Sequence, residues 1–174
     1  MPKIVYLDNL PAQEGISILE NQNKIEVVKI ESNNLEQSFK ELETAHAFQV
    51  SAARDEVPKI FHVNEEFLSK TSNLILVSSG GAGYDTIDVE ACTKRGILVV
   101  NQTGGNAEAV AEHAVALMLD LLKRVTETDL LLRKGWSGAR EDFIGRNLFK
   151  KTVGLIGLGT VSYTHLRAHE TWWD

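Results

Sequence analysis

Residues 78–113 read SSGGAGYDTIDVEACTKRGILVVNQTGGNAEAVAEH, and the order of signals in this stretch decides the fold. The apolar run Leu74–Val77 leads into it and suits a short buried strand. Ser78-Ser79-Gly80-Gly81-Ala82-Gly83 follows, with glycines that bare backbone N–H groups and permit positive φ. Asp88 is placed to cap a helix over Val89–Arg95, and Gly96 falls at its C′ position. Ile97–Val100 is the next buried strand. Asn101-Gln102-Thr103-Gly104-Gly105-Asn106 is a second polar glycine turn, with Asn106 at the cap position of another helix. Open α/β sheets bind ligands beyond the carboxyl ends of their strands. Two glycine turns after consecutive strands can therefore line one crevice and offer N–H donors to an anion.

The same alternation extends to the N-terminus. Lys3–Leu7, Lys24–Ile30 and Ala45–Val50 read as strands. Ala12–Gln22, Leu35–Leu42 and Glu65–Lys70 read as helices, and Ser51–Phe61 reads as a polar loop. Strands alternating with helices call for a parallel sheet with right-handed crossovers. Five strands by Val100 predict an α/β, flavodoxin-like first domain over residues 1–101. Beyond it, Val110, Ala111, Ala114, Val115, Met118, Leu121 and Leu122 recur at three and four residues. This predicts a long helix buried on more than one side. Thr126–Lys134 continues as a second helix, ending at Gly135. Residues 136–151 read as a connecting stretch. Thr152–Ile156 then reads as a strand running into Gly157-Leu158-Gly159, which has the spacing that opens a dinucleotide-binding turn.

Composition narrows the function classes. The 174 residues carry a net charge of −6, and 43% are hydrophobic. That fits a globular core and argues against disorder. The absence of a basic patch speaks against nucleic acid. No apolar run reaches membrane-spanning length, and MPKIVYLD reads as a strand and not a signal peptide. The single cysteine, Cys92, cannot form an intrachain disulfide and reads as a small buried apolar side chain. A cytoplasmic protein acting on a small molecule is the expectation.

Gly83, Asp85 and Asp88 make a GxDxxD motif, and KRGILVVNxxGGN (94–106) and AEHAVALML (111–119) follow it. In this linked spacing the chain, up to Gly159, resembles the D-isomer-specific 2-hydroxyacid dehydrogenases, relatives of phosphoglycerate dehydrogenase. The resemblance implies a substrate domain followed by the start of a Rossmann nucleotide-binding domain over residues 102–160. It implies hydride transfer between a D-2-hydroxy or 2-keto acid and NAD, with NAD and NADP not separated by the residues present. It assigns the backbone N–H groups of Ala82 and Gly83 to the substrate carboxylate and makes Gly81 the residue that shapes their loop. It places Asn101 and Gly104 between substrate and nicotinamide, and Gly157, Leu158 and Gly159 at the cofactor phosphates. Asn101 and Gly104 are equally readable as hinge and cap residues. Arg54 matches the other substrate loop, where a guanidinium could pair with a carboxylate or phosphate. Beside Asp55 and Glu56, it is as readily a solvated surface arginine. Tyr84 reads either as a residue near substrate or as cover for the sheet edge. Asp85 and Asp88 read as turn and cap residues, and His46, His62 and His113 show no partner pattern.

Residues 161–171, VSYTHLRAHET, resemble the translation of a sequencing-library adapter. Residues 161–174 are therefore expected to lie outside the natural sequence, and the chain to be an N-terminal fragment. A metal pair at His165 and His169 is the rival reading, resting on an i, i+4 spacing alone. The family's catalytic arginine, glutamate and histidine fall beyond the fragment, so no catalytic residue is assigned and no turnover is expected. The alternative is an NADH-sensing regulator or a small-carboxylate-binding module without catalysis. As an implied partner, the full-length parent is expected to form a homodimer.

Overall fold

The computed structural model describes residues 1–8, 13–157 and 159. The described residues fall into two compact units, divided between Gly105 and Asn106. The first holds β1 (Lys3–Leu7), α1 (Gln13–Glu20), β2 (Glu26–Ile30), α2 (Leu35–Glu43), β3 (Ala47–Val50), a 3₁₀ turn (Lys59–Phe61), α3 (Glu65–Ser69), β4 (Leu76–Ser79), α4 (Val89–Lys94) and β5 (Leu98–Val100). The strands form one parallel sheet in the order β2-β1-β3-β4-β5. This is the doubly wound, flavodoxin-like order, as the alternating pattern predicts.

Local chemistry places the helix starts. Asn34 Oδ1 accepts from Gln37 N–H, Asn64 Oδ1 from Phe67 N–H at 3.0 Å, and Asp88 Oδ1 from Ala91 N–H at 2.9 Å. Each satisfies one donor that the first helical turn would otherwise leave open. Gly96 closes α4 at φ +70°, the left-handed value that favours glycine after a helix. The core lies between sheet and helices. Val5, Phe48 and Val77 are fully buried from the strands, and Leu42, Phe67 and Leu68 are buried from the helices. Phe48 stacks on Phe67 at 5.2 Å between centroids, and Phe39 stacks on Phe61 at 5.6 Å. Burying one such ring is worth about 1.5–3 kcal/mol.

Several boundaries differ from the expectation. β4 begins at Leu76, two residues late, because its ladder partner β3 sets the register from Ala47↔Leu76 to Val50↔Ser79. β2 starts where Lys3 pairs with Glu26. β3 starts after a turn in which Ala45 N–H bonds to Leu42 O. The stretch 51–61 is no plain polar loop, since its Val57 and Phe61 enter the core.

The second unit contains α5 (Ala107–Lys123), α6 (Val125–Arg133) and a 3₁₀ turn (Arg140–Phe143). Arg124 turns the corner between the helices at φ +55°. Its guanidinium pairs with Glu127, donates to Asp142 O at 2.8 Å and lies over the Phe143 ring at 4.7 Å. Asp120 Oδ1 accepts from Thr126 N–H at 2.9 Å and so caps α6. The expectation of a largely buried α5 is overturned. Only Ala107 and Ala111 of this helix are buried, while Val115, Leu117 and Leu121 are exposed. Among the described residues nothing covers that face. The expected strand at Thr152–Ile156 is also absent, since β conformation needs a ladder partner and no described strand pairs with it.

Candidate functional site

The carboxyl ends of β3, β4 and β5 stand side by side, and each continues into a loop that the sequence singles out. Backbone hydrogen bonds fix the spacing. Gly80 N–H donates to Val50 O at 2.7 Å, and Gln102 N–H donates to Gly81 O at 2.9 Å. A Cβ at Gly80 would sit 3.2 Å from Gln49 Nε2 and 3.4 Å from Val50 O, so the two loops approach as closely as they do because this residue has none.

The glycine loop after β4 has a marked polarity. The carbonyls of residues 81–83 are taken by the protein: Gly81 O by Gln102 N–H at 2.9 Å, Ala82 O by Asn101 Nδ2 at 2.8 Å, and Gly83 O by the Ser79 hydroxyl at 2.5 Å. The N–H groups of Gly81, Ala82 and Gly83 meet no acceptor among the described residues. No peptide bond of the chain is cis. In a trans peptide the carbonyl of one residue and the N–H of the next point in opposite directions. The carbonyls of Gly81 and Ala82 both turn toward the 101–102 segment. The N–H groups of Ala82 and Gly83 therefore both turn away from it, on one side of the loop. Two neighbouring donors facing the same way in an exposed glycine turn form an anion-binding concavity.

The loop after β3 supplies the flank. Arg54 Nε donates to Asp85 O at 2.7 Å, which ties the guanidinium to the end of the glycine loop. Its terminal nitrogens meet no acceptor among the described residues. Thr86, buried, donates from Oγ1 to Ser51 O at 2.7 Å, and the Ser51 hydroxyl donates to Glu56 Oε2 at 2.8 Å. Ser79, Thr86 and Ser51 are site-building residues that the motif reading missed. Small hydroxyl residues beside a glycine turn are common, and only tertiary structure shows which backbone oxygen each one holds.

Arg54, Gly81, Ala82, Gly83 and Asn101 are thus brought together. Gly104 lies further along the turn after β5 at φ +91°. Asn106 stands at the N-cap of α5, but its side chain makes no capping bond, contrary to the cap expected there. Asp88 does cap, and Asp85 enters the site through its carbonyl. Tyr84 is exposed and lines a groove of about 530 Å³ with Val89, Val99, Val100 and Asn101, at the sheet edge. Cys92 is fully buried. Burial, then the nearby carboxylates of Asp88 and Glu65, push its thiol above the ordinary range, which disfavours the nucleophilic thiolate.

Among the described residues no histidine is bonded to the glycine loop. His46 Nδ1 accepts from Lys3 N–H at 3.2 Å, and the His62 ring shares a hydrogen bond with Val57 O. His113 is exposed on α5. No group of three side chains able to hold a metal occurs among the described residues, and none of their helices is long and apolar enough to cross a membrane. Of the cofactor residues, Gly157 takes φ +90°, as a tight turn requires. Leu158 lies outside the described residues, as do His165, His169 and the rest of the tail. A Cβ at Gly157 or Gly159 would meet nothing within 4 Å, and no strand precedes the pair. These residues do not by themselves make a dinucleotide cradle, and no chemical step is assigned to them.

Residues 4–170 match the profile described as "D-isomer specific 2-hydroxyacid dehydrogenase, catalytic domain". The D-3-phosphoglycerate dehydrogenase of Mycobacterium leprae is 34% identical over 162 residues, which is 92% of this chain and 28% of that one. The solved D-lactate dehydrogenase of Aquifex aeolicus, complexed with NAD and lactic acid, is 25% identical with a TM-score of 0.75. The match covers 95% of this chain and 47% of that one. The NAD⁺-bound 3-phosphoglycerate dehydrogenase of Entamoeba histolytica is 28% identical with a TM-score of 0.67, over 96% and 50%. The chain therefore spans less than a third of that curated relative and about half of each solved one.

Proposed function

The chain belongs to the D-isomer-specific 2-hydroxyacid dehydrogenases, and from that premise we propose that its first unit is the acid-binding half of such an enzyme. The substrate carboxylate is held by the N–H groups of Ala82 and Gly83, with Arg54 beside it. The observation that supports this is the polarity of residues 81–83, whose three carbonyls are engaged and whose amides are left open among the described residues. Hydrogen bonds to a charged partner contribute about 1.5–3 kcal/mol each, so two amides and a guanidinium suffice to hold a small acid. In the whole parent protein the reaction would take hydride from C2 of the hydroxy acid to a nicotinamide cofactor, NAD by analogy with the solved relatives. The hydroxyl proton would pass to a base.

In our reading the 174-residue chain binds the acid and does not turn it over, because no histidine and carboxylate pair stands at the loop among the described residues. We take residues 161–174 as foreign to the parent's sequence. The fold also supports a second reading, a carboxylate-binding or NADH-sensing regulator, because the loop binds anions whether or not a base follows. Titrating the purified chain with D-glycerate tests the binding reading. The amide resonances of Ala82 and Gly83 should shift, and NADH mixed with the chain and glyoxylate should not be oxidised. Unmoved amides would sink the site, and steady NADH oxidation would sink the claim of inactivity. Recovering the natural DNA downstream of the Gly159 codon separates the two readings of the parent. A frame that continues into a third glycine and a later histidine favours the enzyme.

A further inference from the structure

The loop after β3 lies beside the glycine loop, and its charges bear on what the far end of an acid held at Ala82 and Gly83 would carry. Building on the carboxylate reading above, we propose that Glu56 is a specificity-determining residue. Held by Ser51, it turns away acids that carry a second anionic group, so the substrate is a monoanionic 2-hydroxy or 2-keto acid and not a phosphorylated one. Glu56 is exposed, and its carboxylate is oriented by the Ser51 hydroxyl, which donates to Oε2 at 2.8 Å. Ser51 in turn is built into the site. Its carbonyl accepts from buried Thr86, and its Cα would lie 3.7 Å from a Cβ at Gly80. A negative charge is thereby held at Ser51, one residue beyond the end of β3, the strand beside the one that carries the glycine loop.

The surrounding charge adds to it. In the segments 51–57, 80–87 and 101–105 that follow β3, β4 and β5, Arg54 stands as the sole cation against Asp55, Glu56 and Asp85. One guanidinium, already tied through Nε, matches one carboxylate. Nothing in these segments is left to balance a phosphate bearing about −1.5 to −2 charges at neutral pH. Lys59, the next cation along the loop, belongs to a different groove with Asn64, Glu66, Phe67 and Lys70. Like charge facing like charge is a common way to reject a wrong ligand.

D-glycerate and D-3-phosphoglycerate differ only in the phosphate, so they form the test pair. They are titrated into the full chain at low ionic strength, with the Ala82 and Gly83 amides as readout. D-glycerate should bind at least tenfold tighter. E56Q, which keeps the shape and removes the charge, should narrow that ratio at least threefold by improving phosphoglycerate binding. Added salt should narrow it in the wild-type chain as well, as charge repulsion requires. Phosphoglycerate binding as tightly as glycerate would overturn the proposal while leaving the carboxylate site intact, as would a ratio unchanged by E56Q. If neither acid moves the two amides, the site reading itself fails, and this proposal with it.

Discussion

Replacing Thr86 by Val tests whether the site depends on the tie between the loops after β3 and β4. Thr86 is 2% exposed, and its hydroxyl spans 35 residues to reach Ser51 O at 2.7 Å. Valine has nearly the same shape, so the change removes one hydrogen bond and leaves a carbonyl short of a donor. The expected cost is about 1–3 kcal/mol. A unit of this size loses roughly 4–8 °C of melting temperature per kcal/mol. The second effect is on binding. The loop tied down through Ser51 O also positions Arg54, so D-glycerate affinity should fall at least threefold. Thr71→Val is the matched control. Thr71 is 1% exposed, and its hydroxyl donates to Phe67 O at 3.1 Å, at the end of α3. It should show a comparable loss of melting temperature with D-glycerate affinity unchanged. Equal effects of the two variants on affinity would refute the reasoning, and so would a Thr86→Val chain that melts with the wild type.

Glu41 pairs with the nearly buried Lys3, whose ammonium also donates to Thr44 Oγ1 at 2.9 Å. The hydrogen bond from Lys3 holds the Glu41 carboxyl below its ordinary value of 4.5. The folded value lies under the unfolded one, so this contribution is complete above about pH 4.5 and is lost as pH falls through the folded value. Glu41→Gln should therefore flatten the acid limb of stability below pH 4.5, as urea midpoints across pH would show. Cys92 is fully buried with a raised thiol; a thiol reagent at pH 8 should label it only as fast as the first unit opens, and immediate labelling in native buffer would contradict its placement. Gly145→Ala would put a Cβ 2.8 Å from Leu122 O and from Lys123 Cα, an overpacking expected to cost about 1–3 kcal/mol and to appear as faster limited proteolysis after residue 106.

Much of the first unit is legible in the sequence because its signals are local. Asp88, Asn64 and Gly96 act within a turn of their own positions, and runs such as Ile4–Leu7 pair wherever the sheet puts them. What the sequence does not show is pairing. The register of β4 depends on β3, and Thr152–Ile156 is apolar enough for a strand yet has no described neighbour to bond. The apolar repeat of α5 is real, but periodicity tells which residues share a face and not whether anything covers it. The candidate site divides in the same way. Ala82, Gly83 and Arg54 are found by motif. The Thr86–Ser51 tie emerges only when residues 35 positions apart meet, and the local contacts of Ser79 with Gly83 and of Ser51 with Glu56 gain their meaning from the loops that this tie brings together.

The five strands of the sheet are complete at Val100, and the hydrogen bond from Gln102 to Gly81 closes the last loop of the site. Everything proposed to grip the acid is therefore encoded before residue 106. During synthesis, protein domains fold as units with the N-terminal ones first. A nascent chain that has cleared the ribosomal exit tunnel to this point already contains every contact of the first unit, and the acid can act as a folding ligand while translation continues. Ribosome-stalled chains of increasing length would show protection of this unit, strengthened by D-glycerate, from the length at which Gly105 emerges.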